Sequence, residues 1–395
     1  MALKKIPRNV WAASLTSFLM DISSETVLNL IPLFLANVLG AGGTVIGAVE
    51  GVAESVASLL RVASGYISDR LRHRKWLAVL GYGISALCKP FFYFASNWWH
   101  VALARWADRV GKGIRTAPRD ALVADSIDAA NRGLAFGLHR AADTAGAFLG
   151  ILAALLAVYF TQGASVNLRA TTFRTIVLVS LVPAFLAVIS LASLAKEPKR
   201  VEKQSQSQLR LSGLGRSFPV FLFLVGLFEL GNSADAFLVL RAQNLGANVL
   251  GILGMLALFN LVYSLISTPA GALSDRVPRK TLILGGWLFY ALVYLGIGLA
   301  KASWAMWVIY AAYGVYYGVA YGTARALVAD LVPPELRGTA YGAYATVVGA
   351  MAFPASLIAG ILWDKCGPSA PFFFGSSLAF LSATGLALWR PKTGE

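Results

Sequence analysis

Apolar runs long enough to cross about 30 Å of hydrocarbon occupy residues 10–38, 44–67, 76–96, 98–118, 134–160 and 173–195. They resume at 217–240, 249–272, 281–300, 303–325, 338–362 and 368–389. The interval 196–216 between the two sets is basic and rich in Gln and Ser, as a linker is. The pattern predicts an all-α integral membrane protein of twelve transmembrane helices. They form two six-helix bundles, 1–195 and 217–395, joined by the linker 196–216.

The fourth run breaks the apolar pattern. Arg105, Asp108, Arg109 and Lys112 recur at i, i+3, i+4 and i+7, so they share one helical face. A charge facing lipid costs a few kcal/mol even on lenient insertion scales, so this face must meet water, solute or opposite charge. The same stretch exposes a duplication. Ala121-Leu-Val-Ala-Asp125 recurs word for word as Ala326-Leu-Val-Ala-Asp330, and Arg132-Gly133 and Gly137 recur as Arg337-Gly338 and Gly342.

Composition agrees with this picture. Of 395 residues 57% are hydrophobic and only 13% charged, against roughly 25% in a soluble domain. The net charge of +15 sits in short loops, so it marks orientation rather than nucleic-acid binding. Lys4, Lys5, Arg8, Arg70, Arg72, Arg74, Lys75, Arg115, Arg119 and Arg132 fall on one side, with the linker, Arg276, Arg279, Lys280, Arg337, Arg390 and Lys392. Only a few, such as Arg169, Lys301 and Lys365, fall opposite. Both termini and the linker are expected on the cytoplasmic side of the cell (inner) membrane. The first run continues past Asp21 and Glu25 without a small-residue cleavage site, which points to a retained span. Cys88 and Cys366 lie in different halves with no metal-type spacing.

Gly65-Tyr-Ile-Ser-Asp69-Arg70 after the second run repeats as Gly271-Ala-Leu-Ser-Asp275-Arg276 after the eighth, each followed by basic residues. Over essentially the whole chain this resembles the major facilitator superfamily, whose 2–3 loop signature is G-x-x-x-D-R-x-x-R-[RK]. The 8–9 loop fits as written, and the 2–3 loop has one extra residue before Arg74-Lys75. Arg105, Gly111 and Gly113 are similar to the family's span-four pattern. Span five keeps Gly146 and Gly150 of the antiporter motif but has Ile151 where proline is usual. The resemblance implies alternating access between two bundles, with a solute cavity lined by spans one, four, seven and ten.

Several residues are candidates for that work. Asp21 and Glu25 lie one turn apart near the middle of span one. Burial and mutual repulsion both favour one of them holding a proton, and Arg109 or Lys112 is the expected partner when it ionises. The cavity set is Asn29, Arg105, Asp108, Arg109 and Lys112 in the first half, and Glu229, Asp235, Tyr313 and Tyr317 in the second. Arginines there can hold an anionic group or neutralise Asp21, Glu25 and Asp143. Tyrosines with polar tips suit an amphipathic organic ligand, while Gly314 and Gly318 suit a close helix interface. The cytoplasmic gate set is Gly65, Asp69, Arg70, Arg74, Asp125, Gly271, Asp275, Arg276 and Asp330, with Arg70 or Arg74 expected to pair Asp125. Glu54 is expected to pair Lys89. His139, one turn before Asp143, is either a proton relay or a satisfied polar residue.

The sequence therefore reads as a secondary transporter, not an enzyme. It exports a small organic solute with proton coupling, needs no cofactor or resident metal, binds no nucleic acid and works as a monomer. The alternatives are an importer, a carrier of an organic anion or metal ion, or a transport-dead receptor. No Walker-type G-x-x-x-x-G-K-[ST] loop supports ATP drive, and no H-E-x-x-H or G-x-S-x-G motif supports catalysis. Orientation is directly testable. Single cysteines at Ser205 and Ser212 should react with an impermeant maleimide only from the cytoplasmic side, and one at Ser165 only from outside. Labelling of Ser205 from outside would reverse the assignment.

Overall fold

The structure, a computed structural model, describes residues 6–71, 73–128, 131–197, 217–274, 277–333 and 336–389. The helices in chain order are α1 (Arg8–Leu28), α2 (Ile31–Asn37), α3 (Gly43–Leu71), α4 (Arg74–Tyr93), α5 (Trp98–Asp125), α6 (Arg132–Thr161) and α7 (Ala170–Leu194). They continue as α8 (Ser217–Gly231), α9 (Ala236–Asn244), α10 (Val249–Ser274), α11 (Arg279–Leu299), α12 (Ser303–Leu331), α13 (Arg337–Cys366) and α14 (Ala370–Leu388). The described residues contain no strand. In hydrocarbon every backbone group must be paired internally, which favours helix throughout. Polar side chains comply by donating to their own helix: Thr26 to Ile22 O, Thr116 to Lys112 O and Ser267 to Tyr263 O.

Two expected single spans are broken. Between α1 and α2, Pro32 lacks the N–H that would reach the Leu28 carbonyl. Asn29 turns its side-chain amide onto the Glu25 carbonyl, 3.1 Å away. Between α8 and α9 there is no proline. Asn232, Ser233 and Asp235 sit there, residue types that compete with the helix for backbone groups. The breaks fall at equivalent places in the duplicated halves, since Asn29 and Asp235 correspond. Taking each broken pair as one crossing, the helices are consistent with twelve crossings. Eight stretches are long and apolar enough to span by length and composition. The other four helices, α3, α4, α5 and α12, carry the charged or tyrosine-rich faces.

The chain divides into two compact units. Unit one comprises Met1–Ala41, Val56–Glu202 and Asn248–Leu253, and unit two comprises Gly42–Ser55, Lys203–Ala247 and Gly254–Glu395. Within unit one α1 packs on α6 and α7, and α4 on α5 and α7. The α1–α6 contact is close because Gly146 and Gly150 have no side chain: a methyl group there would strike the carbonyls of Phe18 and Ile22. Gly81 and Gly111 serve α4 and α5 in the same way, each facing the other's carbonyl.

Within unit two α11 packs on α12 and α14, and α8 on α13 and α14. Asp364 of α13 accepts from the first residues of α3, Gly43 N at 2.7 Å and Thr44 N at 2.8 Å, which satisfies two orphan donors of that helix. Arg241, buried at the end of α9, does the converse for α11. Its guanidinium donates to the carbonyls of Ile297 (3.3 Å), Gly298 (3.3 Å) and Ala300 (2.8 Å). Charge-assisted bonds of this kind contribute about 1.5–3 kcal/mol each at most. Arg241→Met should therefore lower the thermal midpoint of the detergent-solubilised protein by several degrees. An unchanged melting curve would mean that the cap is not holding α9 to α11.

Candidate functional site

In unit one the site is built on the face of α5. Arg105, Asp108, Arg109 and Arg115 are buried, although each is charged. The polar spacing keeps them on one side of the helix, and Gly111 lets that side approach α4 closely. Asp108 lies among Arg109, Lys89, Arg105 and Arg115. Arg115 donates to Ser85 Oγ at 2.9 Å and sets its guanidinium over the Tyr82 ring, 4.4 Å from the centroid.

Asp21 and Glu25 occupy α1 as expected. Asp21 lies within electrostatic range of Asp143, Glu25, Arg115 and Lys112. Glu25 has its own partner: Asn29 donates to Glu25 Oε2 at 2.8 Å. Lys89 is wholly buried and donates to Ser23 Oγ (2.5 Å) and Ser24 Oγ (3.2 Å) of α1, partners that the sequence reading did not name.

His139 stands at the centre of a hydrogen-bonded chain. Its Nε2 meets Ser17 Oγ at 3.1 Å, and its Nδ1 lies 3.4 Å from Asp143 Oδ2. Ser17 also meets Tyr82 OH at 2.8 Å and accepts from Arg119 Nη1 at 3.0 Å. Sequence reasoning singled out His139 and Asp143 but missed Ser17 and Tyr82. The available signal was position: Ser17 precedes Asp21 by one turn and lies on the same face.

At the end where α4 begins, Arg74 Nε pairs Asp125 Oδ2 at 2.8 Å, as expected. Arg279 Nη1 and Asp330 Oδ1, 2.6 Å apart, repeat that pair in unit two. Glu197 accepts from Arg74 N at 2.6 Å, tying the stretch after α7 to the start of α4. Gly65 of α3 lies against Ala117 of α5, and Arg70 is exposed. The Asp69 side chain, and Asp275 and Arg276 altogether, lie outside the described residues, as does the Tyr321 side chain; Gly271 falls within α10.

Unit two replaces charge with aromatic rings. Tyr290, Tyr294, Tyr310 and Tyr313 are fully buried. Tyr290 and Tyr294 stack at 4.1 Å, and Tyr313 meets Tyr317 edge-on at 5.0 Å. Acidic residues at the α8–α9 break accept from their neighbours: Asn232 donates to Glu229 Oε2 (3.1 Å), Tyr290 to Asn232 Oδ1 (2.9 Å), and Tyr313 to Asp235 Oδ1 (2.9 Å). Gly314 and Gly318 press α12 onto Phe259, Val262 and Ile266 of α10, the interface role expected of them. The tyrosines thus form a packed wall from which the Tyr290 and Tyr313 hydroxyls reach the break.

The family model described as Major Facilitator Superfamily matches residues 13–353 and 221–395. The uncharacterized MFS-type transporter MJ1317 of Methanocaldococcus jannaschii is 34% identical over 385 residues, covering 96% of this chain and 94% of that protein. A shorter match, 34% over 152 residues, covers 37% of this chain and 36% of the multidrug resistance protein MdtG of Enterobacter lignolyticus. Among solved structures, a mutant of the nucleoside transporter NupG superposes with a TM-score of 0.80 at 13% identity. That superposition covers 96% of this chain and 99% of that one, a likeness of fold.

The repeated ion pair is open to a double-mutant cycle. The side chains of Arg74 and Asp125 are 22% and 31% exposed, so their coupling should be under about 1 kcal/mol. Melting curves of Arg74→Gln, Asp125→Asn and the double variant should yield that value. A coupling of several kcal/mol would identify the pair as a main support of unit one.

Proposed function

The chain belongs to the major facilitator superfamily, and from that premise we propose that it exports a small organic solute, driven by protons, by alternating access. The observation that carries the reading is the buried charge of unit one. Asp21 and Glu25 lie in an otherwise apolar helix, with Lys112 and Arg115 facing Asp21. Ionisable groups in a membrane interior are expensive and are kept where ions or solutes pass. A carboxylate that alternates between a proton and a lysine or arginine partner couples proton movement to conformation. It does so only if its affinity for the proton differs between the two orientations of the protein.

Division of labour follows from the chemistry of the units. Unit one, with Asn29, Arg105, Asp108, Arg109 and Lys112, supplies coupling and neutralisation. Unit two, with Glu229, Asp235, Tyr313 and Tyr317, supplies a surface for an amphipathic molecule. The repeated pairs Arg74–Asp125 and Arg279–Asp330, with Gly65, Asp69, Arg70, Gly271, Asp275 and Arg276, act as the cytoplasmic gate. Export rather than import is favoured by the partial match to a multidrug resistance protein. The protein works as a monomer in the cell membrane with both termini in the cytoplasm. The excess of basic over acidic residues on α5 supports a second reading, transport of an organic anion.

Proteoliposomes loaded with a panel of fluorescent organic cations, neutral compounds and anions test both readings. A pH gradient should drive concentration of at least one member against its own gradient. With Asp21→Asn, pH-driven transport of that compound should fall to the passive-leak level, while exchange of labelled for unlabelled compound persists. Full pH-driven transport in both Asp21→Asn and Glu25→Gln would place coupling elsewhere.

A further inference from the structure

We propose that the coupling proton is held between Asp21 of α1 and Asp143 of α6, with His139 positioning Asp143 and Glu25 standing outside the pair. The inference rests on the reading of α1 as the proton-coupling helix and names the second carboxylate of that site.

Geometry brings the two together. Gly146 abuts Phe18, and Gly150 abuts the Ile22 and Asp21 carbonyls and the Glu25 side chain, so α1 and α6 run in the same direction in close contact. Ser17 and His139 touch at 3.1 Å. Asp21 and Asp143 each follow by four residues, one turn of about 6 Å along their helices. The two carboxylates accordingly face the same α1–α6 contact, near enough for the Asp143 charge to act on Asp21. Like charges this close in an apolar setting share a proton rather than both ionise.

Hydrogen bonding then separates Asp143 from Glu25. Asp143 Oδ2 faces His139 Nδ1, but Asp143 Oδ1 is buried and has no hydrogen-bond partner among the described residues. A buried carboxylate oxygen without a donor is costly, and a proton on it, or shared through it with Asp21, removes that cost. Glu25 lacks this vacancy, because Asn29 already donates to its Oε2. His139 is well placed to fix Asp143. With its Nε2 accepting from the Ser17 hydroxyl, the ring carries its hydrogen on Nδ1 and donates it to Oδ2. Ser17 is itself held by Arg119 and Tyr82.

The groups around the pair are Glu25 from α1, Tyr82 and Lys89 from α4, Lys112, Arg115, Arg119 and Asp120 from α5, and Arg140 from α6. The one charged residue of α7, Arg174, lies near the end where that helix starts. The net positive surroundings hold the singly charged pair when one proton is bound. Adding or removing the shared proton changes the charge that Lys112 and Arg115 meet, which is how a proton is felt across α1, α5 and α6.

The test needs no transported solute. Full-length protein in phosphatidylcholine liposomes is titrated with acid while its infrared difference spectrum is followed, reading the carbonyl stretch of protonated carboxyl groups. Wild type should show a band that appears on acidification. Asp21→Asn and Asp143→Asn should each abolish it, Glu25→Gln should keep it, and Asp143→Glu should restore a band, showing that the site tolerates substitution. His139→Leu should move its midpoint by about one pH unit or more, and His139→Asn, whose amide can take the place of Nδ1, should bring it back. A band that survives Asp143→Asn but is lost in Glu25→Gln overturns the proposal and leaves the proton on α1. A band untouched by all three neutralising variants sinks both the proposal and the proton-coupling reading of α1.

Discussion

The expense of charge in hydrocarbon governs unit one. Lys89, Arg105, Arg109 and Arg115 are buried there with Asp108, and each must meet water or a partner. Close helix contact answers the problem before any ion pair does. Because Gly81 and Gly111 bring α4 against α5, Arg115 can reach Ser85 and cover Tyr82. Because Gly146 and Gly150 bring α6 against α1, His139 can reach Ser17. Small residues set the spacing, and the spacing permits the polar network. A bulky residue at any of these glycines would withdraw a charged group from its partner as well as spoil packing.

The duplicated halves keep their backbone more faithfully than their chemistry. Both interrupt the first span at equivalent residues, Asn29 and Asp235, one with a proline and one without. A helix broken inside a membrane needs protein or water to satisfy the freed backbone groups. Each half finds a different source: Asn29 uses its own helix, whereas the second break draws on Ser356 Oγ, which accepts from Ala234 N at 3.1 Å. Acidic side chains lie near both breaks, and an asparagine holds one in each, Glu25 and Glu229; of the others, Asp21 has Arg115 and Lys112 in electrostatic range, whereas Asp235 accepts from Tyr313. A carboxylate beside a cation can exchange that partner for a proton. One held by a phenol is better suited to orient a neutral or weakly polar ligand.

Much of this was legible in the sequence because the membrane simplifies the code. Apolar runs marked the helices, the word-for-word repeat marked the halves, and basic residues after Gly65 and Gly271 marked equivalent loops. Helical spacing also placed the α5 face, and of Arg70 and Arg74, the two partners expected for Asp125, Arg74 makes the pair. The sequence was silent where partners come from small hydroxyl residues. Ser17, Ser23, Ser24 and Ser85 look alike in an apolar run, and only packing shows which of them receives Lys89, Arg115 or His139. For Lys89 the visible signal was opposite charge in a neighbouring span, whereas its hydrogen bonds go to two serines of α1. The helix breaks were missed because both flanks are apolar, so hydropathy runs straight through them.

The same logic explains how each half secures its last helix. In unit one Glu197, just after α7, accepts from the backbone of Arg74 and Lys75 at the start of α4. In unit two Lys280, at the start of α11, donates instead to the carbonyls of Ala387 and Trp389 at the end of α14. One half puts a carboxylate on a helix N-terminus and the other puts an ammonium on a helix C-terminus. Both use the favourable end of the helix dipole, and both satisfy orphan backbone groups. Since either charge serves, duplication constrains where the contact falls and leaves its sign free. The carboxylates of α1 have no such freedom if they carry protons, because an amide in their place would hold the helix without answering to pH. Charge that is exchangeable at helix ends and fixed in type at the centre of α1 is the pattern expected when only the centre does chemistry.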